Sequence, residues 1–102
     1  MILMAFFPYW VHADVYSQSG YVNDFANLFT QEEKLNLESL LSASERKMSI
    51  EVLVVTVPSL GRHKIDAYAA DLIDKWGAGK YVKNRCIMIL YASDVREMSV
   101  QI

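Results

Sequence analysis

Ile50-Glu51-Val52-Leu53-Val54-Val55-Thr56-Val57, closed by Pro58, is the stretch that decides the fold. It is rich in β-branched residues and ends at a residue with no backbone donor for a ladder. A strand with one wet face alternates apolar with polar. A nearly unbroken apolar run marks a strand covered on both faces, the usual state in a parallel sheet. Parallel neighbours need long crossovers, usually helices, so the flanking sequence should supply them.

It does so on the carboxyl side. Ser59 to Lys64 reads as a connection hinged at Gly61, and a helix is predicted from Ile65 to Trp76. Ile65, Tyr68, Ala69, Leu72 and Trp76 share one narrow arc at helical spacing, with Asp66, Asp71 and Asp74 away from it. Gly77 suits the C-cap and Gly79 a further loose joint. Ile87 to Ala92 (IMILYA) is a second buried strand, so strand, helix and strand form a right-handed parallel crossover. Ser93 to Arg96 reads as a turn. Glu97 to Ile102 alternates, with Met98, Val100 and Ile102 on one face, and is expected to hairpin onto its predecessor.

On the amino side, Thr30-Gln31-Glu32-Glu33 has the capping-box form. Leu37, Leu40, Leu41, Ser44 and Met48 follow as an apolar stripe, while Glu38, Glu45, Arg46 and Lys47 read as the solvated side. This helix can cover the sheet face opposite the crossover helix. The expected fold is α/β: a three-layer α/β/α sandwich on a small mixed, mainly parallel sheet.

Residues 1–13 (MILMAFFPYWVHA) are almost wholly apolar but too few to span a bilayer, which needs about 20. They fit the apolar part of a secretory signal, with Val11-His12-Ala13 resembling a cleavage site. They are read as a truncated signal-peptide remnant, residues 14–20 as a linker and residues 21–102 as the domain. The periodic pattern is still running at Ile102, so the domain is expected to be C-terminally incomplete.

The 102 residues carry 10 Lys+Arg against 12 Asp+Glu, with no basic block, which argues against nucleic acid as partner. One cysteine, Cys86, excludes an intrachain disulfide framework and a zinc site of several thiolates. Cys86 reads as a small buried hydrophobe and His63 as a solvated loop residue. Neither a Gly-x-Ser-x-Gly elbow nor a glycine-rich phosphate loop occurs.

Val22-Asn23-Asp24-Phe25-Ala26, the capped helix, VVTVPSL at 54–60 and Tyr68-Ala69 together resemble the TPM-domain family. So do Lys75-Trp76-Gly77-Ala78-Gly79-Lys80, IMILYA and Asp94-Val95-Arg96. The family includes a thylakoid-lumen acid phosphatase involved in photosystem repair, a receptor modulator and bacterial envelope proteins. The resemblance spans residues 21–102 and implies an α/β/α sandwich with an extracytoplasmic role. This sequence departs from the family at Asn84-Arg85-Cys86, where members usually carry Asp-Asn-Gly.

Topology selects the polar residues that can meet. Asp24, Ser59, Asp94 and Arg96 are expected at the carboxyl edge of the parallel strands, where open α/β sheets bind ligands. Asn84 lies at the other end of its strand and stands as a separate candidate. Asp24 and Asp94, with Ser59 or backbone carbonyls, would form an oxygen-rich position for Ca²⁺ or Mg²⁺. Arg96 would either draw a phosphate to the metal or neutralise Asp94. Two functions follow. One is an exported envelope module that assists membrane-protein assembly, repair or regulation. The other, implied only by the resemblance to the family's plant members, is an acid phosphatase acting on a phosphorylated substrate.

Overall fold

The 50–57 run becomes strand β2, Glu51–Val57, at the centre of the molecule. A computed structural model of the chain describes residues 16–78 and 85–102. Residues 1–13, read as a signal remnant, and Asn84 lie outside the described residues. β2 is flanked by β1 (Val22–Asp24) and β3 (Cys86–Ala92), both parallel to it. β4 (Glu97–Gln101) closes a hairpin antiparallel to β3, giving the sheet order β1-β2-β3-β4. α1 (Gln31–Met48) joins β1 to β2, and α2 (Ile65–Trp76) joins β2 to β3. No helix among the described residues is long and apolar enough to cross a membrane.

The register assigns the faces. Leu53, Val55 and Val57 stand beside Met88, Leu90 and Ala92. These six side chains are fully buried and form one core with Tyr68, Ala69 and Leu72 of α2. The helical arc expected for α2 is therefore its packed face. Gly77 ends the helix at φ 64°, the left-handed conformation that glycine adopts without a Cβ penalty. Cys86, a free and buried thiol, closes the far end of this core, and burial pushes its pKa up to about 11.

Val22 and Leu41 are buried apart from that core, on the opposite face where α1 meets β1 and β2. The sandwich is thus three-layered, but α1 leaves much of its face open. Val52, Val54, Ile87, Ile89 and Tyr91 are only half-buried, and Met98 and Val100 are exposed. On β4 it is Ser99 that is buried, its hydroxyl donating to Asp66 Oδ1 of α2 at 2.6 Å.

α1 begins as its sequence specifies. The Glu33 N–H donates to Thr30 Oγ1 and the Thr30 N–H to Glu33 Oε1, completing the capping box. Its packed stripe differs from the apolar one. Leu41 is buried, yet Leu40 and Met48 are 64% and 60% exposed. Glu38 and Glu45, expected in solvent, turn inward instead. Glu38 accepts the backbone N–H groups of Tyr21 and Val22, and Glu45 accepts the Tyr21 hydroxyl at 2.5 Å. That bond to Glu45, with burial, raises the Tyr21 pKa. The start of β1 is an edge whose N–H groups have no strand partner, and α1 supplies a carboxylate there. A Cβ on Gly20 would lie 2.6 Å from Glu38 Oε2, so a larger residue there would push this carboxylate aside.

Glu38→Ala is expected to cost about 1–2 kcal/mol through loss of two charge-assisted bonds. Ser39→Ala, on the exposed side of the same helix, should stay within about 0.5 kcal/mol. Urea denaturation of the two variants checks both values.

Candidate functional site

The Asn23-Asp24 pair is divided between the two faces of the sheet because successive strand residues point oppositely. Asn23, 1% exposed, faces the α2 side. Its Oδ1 accepts the Ser19 N–H and hydroxyl, and its Nδ2 donates to the Gly20 carbonyl. This ties the 16–20 segment to the sheet. Tyr16 then stacks on Phe25 at 4.2 Å, and its carbonyl accepts the indole N–H of Trp76.

Asp24 points to the other face and organises the loop that follows it. Its Oδ1 accepts the Thr56 hydroxyl at 2.6 Å and the Leu28 N–H at 2.9 Å, while Oδ2 accepts the Phe29 N–H at 2.9 Å. Thr56 Oγ1 in turn accepts the Ala26 N–H at 3.1 Å. The loop passes through Asn27 at φ 58°, a conformation that asparagine tolerates better than most residues. Burial by itself would raise the Asp24 pKa. The bonds from Leu28, Thr56 and Phe29, with the Lys34 charge, outweigh it and hold the carboxyl below its usual value. Asp24 is therefore an ionised, half-buried carboxylate at the carboxyl end of a parallel strand. Its partner Thr56 was not among the residues singled out from sequence. The two are 32 positions apart, and only the β1–β2 register brings them together.

Ser59, Asp94 and Arg96 all lie at the same end of the sheet. Ser59 is exposed, and its hydroxyl accepts the Gly61 N–H at 3.0 Å within a tight turn. The Ser93 N–H donates to the Val57 carbonyl at 3.0 Å, which fixes the start of the β3–β4 turn beside the end of β2. Asp94 and Arg96 are exposed in that turn, with Arg96 at φ 55°. β2 separates β1 from β3, and Asp94 lies three residues beyond Tyr91, the β3 residue level with Asp24, so the two acid backbones are more than two strand spacings apart, at least about 10 Å. The edge thus gathers the expected residues without closing them into one tight shell. Among the described residues, no three or more His, Cys, Asp or Glu side chains come together as a metal cluster.

Comparison with known proteins agrees with this architecture. The TPM domain family matches residues 22–102. No curated protein matches the chain. Among solved structures, the N-terminal domain of a protein from P. gingivalis superposes with a TM-score of 0.72 at 25% identity. The match covers 79% of this chain and 52% of that one, so the chain spans about half the length of the structure it resembles. The family match takes in β1 with its Asn23-Asp24 pair, both helices and the β3–β4 hairpin: the chain belongs to the TPM domain family.

Proposed function

We propose that this chain is an extracytoplasmic accessory or binding module that assists membrane-protein assembly, repair or regulation, using a weakly held divalent cation. The supporting observation is Asp24: an ionised carboxylate with spare acceptor capacity, set at the strand-carboxyl edge where α/β sheets bind ligands. Asp94 and the Ser59 hydroxyl are further oxygen donors at that edge, which backbone carbonyls would supplement. This donor set fits a hard cation that keeps most of its water, Ca²⁺ before Mg²⁺, because calcium accepts irregular oxygen shells. A spacing of at least about 10 Å between the two acid backbones leaves contact through water on the Asp94 side. The affinity follows as that of extracellular modules, about 10⁻⁴–10⁻³ M. Export to the cell envelope is part of this reading, resting on the apolar 1–13 run. An intact N-terminus on cytoplasmic protein from the native gene would overturn it.

Acid phosphatase activity is the competing reading, favoured by Arg96 in the same turn as Asp94, where a guanidinium can take phosphate oxygens. Against it stands the engagement of Asp24. Both its oxygens already hold the β1–α1 loop, so it is poorly placed to act as a nucleophile or mobile base. Hydrolysis of p-nitrophenyl phosphate, with calcium, with magnesium and with chelator, separates the two. The module reading predicts no chelator-sensitive turnover in the parent or in Asp94→Asn. Turnover that chelator and Asp94→Asn both abolish would establish the phosphatase instead.

A further inference from the structure

Asn23 is fully buried, and among the described residues its amide bonds only to the segment in front of β1. Its Oδ1 accepts the Ser19 N–H at 2.8 Å and the Ser19 hydroxyl at 3.2 Å, and its Nδ2 donates to the Gly20 carbonyl at 3.0 Å. Releasing that segment would strand a buried amide without partners, a costly state that β1 escapes only by leaving the sheet. An aromatic cluster grips the same segment farther out. Tyr16 stacks on Phe25 at 4.2 Å, Phe25 meets Trp76 edge-on at 6.3 Å, and the Trp76 indole N–H returns to the Tyr16 carbonyl at 3.1 Å. Residues 16–20 therefore form a strap that holds the two neighbours of Asp24, one on each side. β1 itself is short, with three residues paired to β2. Asp24 reaches Thr56 and the 28–29 amides only when that pairing is made.

We infer that the 16–20 strap and the cation edge are coupled through β1: a seated strap strengthens cation binding at Asp24, and a bound cation locks the strap. This rests on the cation reading of that edge. The strap holds β1 by Asn23 on the α2 face, and the cation would hold it by Asp24 on the other. Both need the same strand in the same register, so each favours the state that the other binds. By linkage the effect is reciprocal and equal in both directions. Tyr16 is then a positioning residue that never touches the metal.

Amide hydrogen exchange and calcium calorimetry on the full chain test this with Tyr16→Ala and Tyr16→Phe. The Ser19 N–H reports the strap, and the Leu28 and Phe29 N–H groups report Asp24 on the opposite face. Leu90, in the core strand β3, reports global unfolding and serves as the reference. Tyr16→Ala should speed exchange at Ser19, Leu28 and Phe29 together relative to Leu90, and should weaken calcium binding by at least about 5-fold. Tyr16→Phe keeps the ring stack and should behave as the parent. In the parent, saturating calcium should slow exchange at Ser19 as well as at Leu28. Faster exchange at Ser19 alone, with Leu28 and Phe29 at the parent rate, overturns the coupling. So does calcium binding that is equally strong in the parent and in Tyr16→Ala, which leaves the cation reading standing. A parent that binds no calcium removes the cation reading and this inference with it.

Discussion

Leu72→Ala is expected to lose about 3 kcal/mol of folding stability. Leu72 is fully buried at the centre of the α2 stripe, packed among Leu53, Val55, Val57, Met88 and Leu90. Truncation removes its burial energy and leaves a cavity that two strands and a helix cannot collapse to fill. A domain of this size shifts by about 4–8 °C per kcal/mol, so the thermal midpoint should fall by at least about 12 °C. Leu40→Ala is the control. Leu40 is 64% exposed, and its loss should change stability by no more than about 0.5 kcal/mol. Scanning calorimetry of both variants checks the pair. Equal losses would mean that α1 packs by its apolar stripe after all.

Asp24→Ala is expected to cost about 2–3 kcal/mol, because the Thr56 hydroxyl and the Leu28 and Phe29 N–H groups all lose an ionised acceptor. Asp24→Asn should lose less, since the amide oxygen can still accept from Thr56. The pH dependence has a definite sign. The folded carboxyl titrates below its unfolded counterpart, so its stabilisation is present in full above the unfolded value of about 3.9. It is lost as the pH falls through the lower folded value. Between pH 7 and pH 3 the parent should therefore lose more stability than Asp24→Ala does. Urea titrations at the two pH values measure this. Parallel losses would show that the carboxylate is not engaged in the folded state.

The elements legible in the sequence were those with strong local pattern. β2, α2, β3 and β4 lie within a residue of their expected bounds, because an unbroken apolar run, a narrow arc and a strict alternation each admit one reading. β1 escaped because three residues are too few to show any period, and its parallel pairing with β2 spans more than thirty positions. The α1 stripe misled for a different reason. Leucine at helical spacing was read as core, yet the helix covers only part of its sheet face, leaving Leu40 and Met48 exposed. Glu38 and Glu45 were read as solvated by residue type, and their inward turn depends on the bare edge of β1, which no local window contains. The site follows the same division. Topology placed Asp24, Ser59 and Asp94 at one edge, as the chain does. The reason Asp24 stands where it does is Thr56, invisible until the register is known.

Calcium titration of the ¹⁵N-labelled chain, followed amide by amide, tests the central claim most directly. With the carboxyl edge as a weak cation site, the shifts should be concentrated in residues 24–30, 56–61 and 93–96. They should saturate near 10⁻⁴–10⁻³ M and weaken in Asp94→Asn, a substitution that leaves the Asp24 loop bonds intact. Shifts confined to residues around Arg85 and Cys86 at the opposite end of the sheet, or none up to 10 times about 10⁻³ M calcium, would contradict it.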